Sequence, residues 1–423
     1  MEHIETDVLV VGGGPAGLTL ALLMLRSGRS VTVVEKTRSF DREFRGEILQ
    51  PGGMTLLDQL GVLDGARARG GYPLKRFQLV EHERVLMDID YDQLPQPFDF
   101  LLSIPQRHVL IELLAHCREF DTFTYIEGQS VGDLRHDGGR VTGAVAGRGA
   151  ERIEVTAKVT VGADGRYSKV RKLAGIEYTR LEAFEHDVLW FKIPAQNRPL
   201  HDVRVLRAAG NPVLVYDSYP ESVQIGWTLP HKGYKELAAR GFDHVLAEIV
   251  KAVPPYADAV RASLTSLNDL SLLDVFAGSA DDWVADGLAL IGDAAHTHGP
   301  IGAQGINLAL QDAAVLHPVL LEALAAGDVS AERLSAYPRV RRPDIAAVFK
   351  LQARQSKGML AQGGLGDRIR PLITRLLAHT PVYGAILRQI AFGRTPIRVR
   401  TDLFTTPGHG RNPSEQKTRS EFV

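Results

Sequence analysis

"DVLVVGGGPAGLTLALLMLRSGRSVTVVEK" spans residues 7 to 36, and its hydrophobic period changes twice. Val8–Val11 reads as a buried strand, Leu18–Leu25 as a helix apolar on most faces, and Val31–Val34 as a second buried strand. That order is a βαβ unit. Gly12, Gly14 and Gly17 fit G-x-G-x-x-G, and Pro15 and Ala16 complete the turn. Glycine here permits a tight turn, approach of backbone to a phosphate, and close packing of helix on sheet. The unpaired N–H groups and positive dipole end of the helix can then hold a pyrophosphate. Glu35, followed by Lys36, ends the second strand, where a carboxylate accepts hydrogen bonds from a ribose 2′-OH and repels a 2′-phosphate. The unit predicts dinucleotide binding and leaves FAD and NAD both open.

The rest of the composition narrows the class. The 423 residues suffice for about two or three domains, and 44% hydrophobic with 23% charged content is ordinary for a globular chain. Lys plus Arg number 49 against 50 acids, so no global field draws the chain to nucleic acid or anionic membrane. The lone cysteine, Cys117, excludes an internal disulfide and supplies no zinc cluster; it reads as a buried helix residue, and a cytoplasmic protein without a metal is expected. No signal peptide is evident, and the Leu18–Leu25 run is short of the ~20 residues a membrane span needs, so no integral membrane association is expected.

Along the chain, "FQLVEHERVLMDIDYD" reads as a hairpin, "SIPQRHVLIELLAHC" as a helix opened near Pro105, and residues 139–165 as short strands ending at Val159–Gly162. From about 180 to 275 the pattern becomes that of antiparallel strands interrupted by a helix, which reads as an inserted sheet-rich domain. From about 330 it is helical and basic. Arg339, Arg341, Arg342, Lys350, Arg354 and Lys357 are expected on a solvated face, and Ile369, Leu372, Ile373, Leu376 and Leu377 form one apolar stripe.

Two further turns carry chemistry. "VGADGRYSKVR" sets Asp164 at a strand end with Ser168 as a helix cap and Arg171 in the first turns. "LIGDAAHTHGPIGAQGINLALQDA" sets Gly292 and Asp293 at another strand end before a Pro/Gly-rich loop and a helix. A helix starting near Gly302–Gly305 presents a positive dipole end that favours negative charge. Pro300 and Gly302 leave little side-chain bulk before that helix.

With GGGPAG at 12–17, DGRYSKVR at 164–171, and GDAAH followed by Pro300, Gly302, Gly305 and Asn307, the chain resembles the class A FAD-dependent monooxygenases, the p-hydroxybenzoate hydroxylase family of aromatic hydroxylases. The resemblance covers roughly residues 5–178 and 276–325. It implies an α/β fold: a Rossmann-like FAD-binding domain of that type with an inserted antiparallel-sheet substrate domain and C-terminal helices. The corresponding division is 1–75, 105–178 and 276–328 for FAD binding, 76–104 and 179–275 for the substrate domain, 329–407 for C-terminal helices, and 408–423 for a disordered tail.

The implied FAD contacts are Gly12, Gly14, Pro15, Ala16, Gly17, Glu35, Lys36, Arg45, Arg107, Asp164, Gly292, Asp293, Pro300, Gly302, Gly305 and Asn307. The implied reaction is NAD(P)H- and O2-dependent hydroxylation of an aromatic or polyketide-like small molecule through a flavin C4a-hydroperoxide. NADPH or NADH would serve as a transient reductant, with no second glycine fingerprint to bind it. His296 is a candidate base. Tyr216 and Trp227, on inserted-domain strands, are candidate substrate contacts because aromatic side chains suit a flat ring. This chain continues Asp312-Ala313-Ala314 where many relatives carry an asparagine, and "GWTLP" is the nearest match to a halogenase W-x-W-x-I-P. The alternatives are an epoxidase, an isoprenoid double-bond reductase, and a non-catalytic FAD-binding protein.

Overall fold

The computed structural model describes residues 2–40, 47–81, 84–181, 186–195, 200–207, 211–360, 369, 372, 376 and 380–405. Arg45, Ile373, Leu377 and the tail from 408 therefore lie outside the described residues.

The opening βαβ unit sits at the middle of an eight-stranded sheet. Strand Glu2–Val11 pairs in parallel with Val31–Glu35 on one side and Ile153–Gly162 on the other, with Val8 opposite both Val31 and Val159. Phe123–Glu127 and Leu288–Leu290 extend the parallel run outward. Such strands are covered on both faces, which is why they read as unbroken Val/Leu runs. Helix Pro15–Arg26 is buried from Ala16 to Arg26, and helices Gln106–Cys117 and Gly305–Ala326 pack against it. Cys117 is fully buried, as expected, with its thiol pushed up by desolvation.

The second large sheet has seven strands, ordered Ser271–Leu273, His186–Pro194, Ser222–Pro230, Val213–Ser218, Asp202–Leu206, Arg76–Glu81 and Arg84–Asp90. Its pairings are antiparallel except one: Asp202–Leu206 lies parallel to Arg76–Glu81. That junction joins two hairpins from distant parts of the chain, so no tight turn dictates its direction.

Side-chain alternation divides the sheet's faces. Leu189, Phe191, Val213, Val215, Ile225 and Trp227 cluster with Val245 and Ile249 of helix Phe242–Ala252 and Val260 of helix Ala257–Ser263. Val188, Trp190, Val203 and Tyr216 turn the other way, toward Ile48, Leu74 and Val275.

The C-terminal helices Ala336–Leu360 and Pro381–Phe392 close against both halves. Arg339, Lys350 and Arg354 are exposed as expected, but Arg341 is not: it is fully buried against Asp312. A charge this deep is tolerated because its counter-charge is equally buried. Ile369, Leu372 and Leu376 of the expected stripe are exposed. Helix Gly305–Ala326 is long and apolar enough to cross a membrane by length and composition, and its apolarity is that of a helix packed into this core.

Candidate active site

Strand ends from the main sheet converge on a cavity of about 470 Å³ that reaches across to the inner face of the second sheet. It lies at the C-terminal edge of the parallel strands, where α/β sheets take their ligands. One part is lined by Gly12, Gly14, Pro15, Ala16, Glu35, Lys36, Asp164, Gly292, Asp293, Pro300 and Gly305; the other by Glu47, Ile48, Trp190, Leu214, Tyr216, Gln224, Leu273 and Val275.

The glycines have separate jobs. Gly12 has φ +114°, and a Cβ there would lie 2.3 Å from the Ala163 carbonyl oxygen; a Cβ on Gly17 would lie 1.9 Å from that of Gly12. These two permit the turn and the close packing of its helix. A Cβ on Gly14 would meet nothing within 4 Å. Gly14 is thus the glycine left bare toward the cavity.

Two helices, Pro15–Arg26 and Gly305–Ala326, begin in this lining with no side-chain cap and no acidic residue in the first turn. Their first amides and positive dipole ends are left for a ligand. Bare backbone at Gly14, a carboxylate at the second strand end and two uncapped helix starts fit the pyrophosphate, ribose and electron-accepting ring of FAD. Glu35, 3% exposed, accepts from Gly13 N at 2.7 Å, Thr37 N at 3.0 Å and Thr37 Oγ1 at 2.8 Å. These donors hold the carboxylate in place at the edge of the turn.

Asp164 lines the cavity, but its oxygens accept from the Lys169 and Val170 amides at 2.7 and 3.1 Å and from Ser168 Oγ. It shapes the Gly165–Tyr167 turn. Arg171 ties that turn to the third motif, donating to the Ala294 carbonyl at 2.7 Å and stacking over Tyr178. Asp293 faces the cavity 3.6 Å from Arg166, a second lining charge for which the sequence motif gave no separate sign.

His296 is corrected by the structure: it is 1% exposed, absent from the cavity lining, and its Nε2 lies 2.7 Å from Asp312 Oδ2. Asp312 also accepts from Gly292 N at 2.8 Å and from Arg341 Nε at 2.8 Å. Burial alone would raise this carboxyl, yet His296 and Arg341 hold it well below the usual carboxylate range. The network pins the Gly-Asp turn from behind.

His298 does line the cavity, with Nδ1 3.1 Å from the Gly299 carbonyl; desolvation lowers its pKa, outweighing the nearby Asp293. Its exposure could not be read from sequence because nothing in the local pattern tells inward from outward in an irregular loop.

Other expected residues act through packing. Asn307 accepts from Gln50 N at 3.0 Å and donates to the Ala303 carbonyl at 2.8 Å, while the Gly302 carbonyl accepts from Gln50 Nε2 at 2.8 Å. Both fasten the loop but lie outside the lining. Arg107 is exposed, and its neighbour Gln106 is the one that reaches the cavity.

Tyr216 lines the second part of the cavity, its phenol pKa raised by burial and by Glu47. Trp227 is corrected: it belongs to the cluster beneath the helices on the far face. Tyr216 pairs directly with Gln224, and Trp227, an odd number of residues further on, must point oppositely. Trp190 takes the place expected of it. Its ring lies over Gly226, where an added Cβ would approach to 2.6 Å, and meets Tyr216 edge-on at 6.4 Å between centroids. Alternation counted from a paired residue would have found it; the pairing itself was not visible in one chain.

The FAD binding domain family matches residues 5–352. The chain is 56% identical over 403 residues to a 6-methylpretetramide 4-monooxygenase of Streptomyces rimosus, covering 95% of this chain and 96% of that protein. It is 29% identical to a protoasukamycin 4-monooxygenase of Streptomyces nodosus subsp. asukaensis, over 83% of this chain and 88% of that one. In fold it is similar to the p-nitrophenol 4-monooxygenase of Pseudomonas putida DLL-E4, with TM-score 0.77 and 20% identity over 93% of this chain and 100% of that one.

Proposed function

Because the chain belongs to the FAD binding domain family and is an FAD-dependent monooxygenase, we propose that it hydroxylates an aromatic polyketide of the 6-methylpretetramide type. The observation that carries this reading is one cavity shared by two parts: a nucleotide cradle and an adjoining chamber walled by Ile48, Trp190, Leu214, Leu273 and Val275. Flat apolar walls suit a fused-ring substrate.

When bound, FAD would supply the redox chemistry that couples NAD(P)H oxidation to oxygen activation, so the protein's work is positioning and exclusion of water. In this reading Gly14 and the start of helix Pro15–Arg26 hold the pyrophosphate, and Glu35 the ribose. The start of helix Gly305–Ala326, uncapped at the lining, would favour negative charge on the ring. Asp293 of the Gly-Asp turn and Arg166 of the Gly165–Tyr167 turn would face the flavin from the lining, and Asp164, Gly302 and Asn307 would act by fixing the turns around it. Trp190 and Tyr216 orient the substrate ring. The strands at 76–104 and 179–275 form the substrate-facing unit, which the C-terminal helices brace. The need for reduced nicotinamide nucleotide and the single buried thiol support action in the cytoplasm.

The test is turnover by the purified holoenzyme with 6-methylpretetramide. Substrate-dependent NAD(P)H oxidation matched by O2 uptake, with a product one oxygen atom heavier, is expected. Oxidation that runs at the same rate without the polyketide, yielding no heavier product, overturns the reading.

A further inference from the structure

Among the described residues that line the chamber, Glu47 is the carboxylate. Glu47 is 8% exposed and lines the cavity beside Trp190 and Tyr216. Lys192 Nζ donates to its Oε1 at 2.7 Å and Ser218 Oγ to its Oε2 at 2.6 Å. Its backbone carbonyl accepts from Ile104 N at 2.6 Å. The two side-chain donors come from the same sheet face: Lys192 and Tyr216 both stand opposite Gln224 on neighbouring strands, and Ser218 follows Tyr216 by two residues.

A carboxylate has about four acceptor positions, and this one spends one per oxygen on protein donors. The ammonium offsets the cost of burying the charge. The remaining positions belong to a charged acceptor in a chamber whose other lining is Gln224, the Tyr216 phenol, and apolar and aromatic side chains.

We propose that Glu47, held by Lys192 and Ser218, accepts a hydrogen bond from a ring hydroxyl of a phenolic substrate, orienting the ring and enriching it in electron density. The inference rests on the hydroxylase reading above. No bond breaks in this contact: the phenol keeps its proton, shared toward the carboxylate, while electron density shifts onto the phenol oxygen and into the ring. An electron-rich ring is what an electrophilic oxygen donor attacks. Glu47 also distinguishes a hydroxyl from its methyl ether, since only the hydroxyl donates.

The experiment titrates holoenzyme with 6-methylpretetramide and with its O-methylated ether, following the visible spectrum of the bound flavin. Wild type is expected to prefer the free phenol, and Glu47→Gln to bind it about tenfold more weakly, as loss of a hydrogen bond to a charged group predicts. Glu47→Gln should bind the ether unchanged, so the preference collapses, and its NAD(P)H oxidation should uncouple from product. Where Glu47→Gln does not retain flavin, Glu47→Asp keeps the charge but withdraws the oxygens by one methylene and should likewise lose the preference. A folded, flavin-loaded variant that melts earlier yet keeps the wild-type preference shows Glu47 to be structural and overturns the proposal. Wild type that hydroxylates 6-methylpretetramide without preferring phenol to ether overturns this proposal alone. Wild type that binds neither compound overturns the hydroxylase reading with it.

Discussion

Asp312 shows how much of the site depends on a side chain that never reaches it. Its carboxylate joins the Gly292 amide, His296 and Arg341, all of them buried. Replacing it by Asn leaves Arg341 with Asp344, 3.3 Å away and less buried, as its one remaining counter-charge among the described residues, so Asp312→Asn is expected to lose about 3 kcal/mol in denaturant unfolding. His317 gives a pH-dependent counterpart. It is fully buried, bonded to Ser27 Oγ at 2.8 Å, and pushed down to about 4 by burial with a smaller contribution from Arg400. The unfolded chain, with an ordinary histidine near pH 6.5, takes up the proton first; stability is complete above that value and falls as pH drops toward 4. Over that window the loss approaches roughly 3 kcal/mol from this group, and His317→Gln should flatten that part of the unfolding profile. At the cavity edge, Asp293→Ala is expected to yield folded but colourless protein, and Glu35→Ala to weaken FAD by about 1–3 kcal/mol in flavin-release titrations.

Among the elements, the strand pair His186–Pro194 and Ser222–Pro230 shapes the chamber. Gly226 stands opposite Trp190 and gives the indole its room. Gly226→Val would drive a branched side chain into that ring, displacing the wall without touching the nucleotide cradle. Its expected signature is retained yellow colour with polyketide affinity about two- to tenfold weaker, since a well-packed aromatic contact is worth about 0.5–1.5 kcal/mol; unchanged affinity would show that Trp190 forms no part of the binding surface. The same alternation sets Tyr216 in the cavity lining and Trp227 on the opposite face. Both are aromatic and both lie on antiparallel strands, and only the cross-strand register tells which one looks inward.

In the molecule as a whole, the cavity lies between the parallel strands of the mixed eight-stranded sheet and the mostly antiparallel seven-stranded one, so bound FAD would contribute to holding them together. Removal of FAD should lower the melting temperature, and added FAD restore it in a concentration-dependent way, by about 2.7 kcal/mol at a hundredfold excess over Kd. Much of this architecture is legible in the order of residues. Gly12, Gly14, Gly17 and Glu35 lie within one βαβ unit, where turn chemistry and hydrophobic period are local properties of consecutive residues. The Asp164 and Gly292-Asp293 turns follow the same logic. What escaped such reading is every partnership between distant segments: Arg341 with Asp312, Glu47 with Lys192 and Ser218, and Trp190 with Gly226. A basic residue in a helical stretch looks the same in sequence whether it meets water or a buried carboxylate. Its environment is set by which elements pack together, and that depends on the long-range closure of the two sheets, a property no short window of the chain contains.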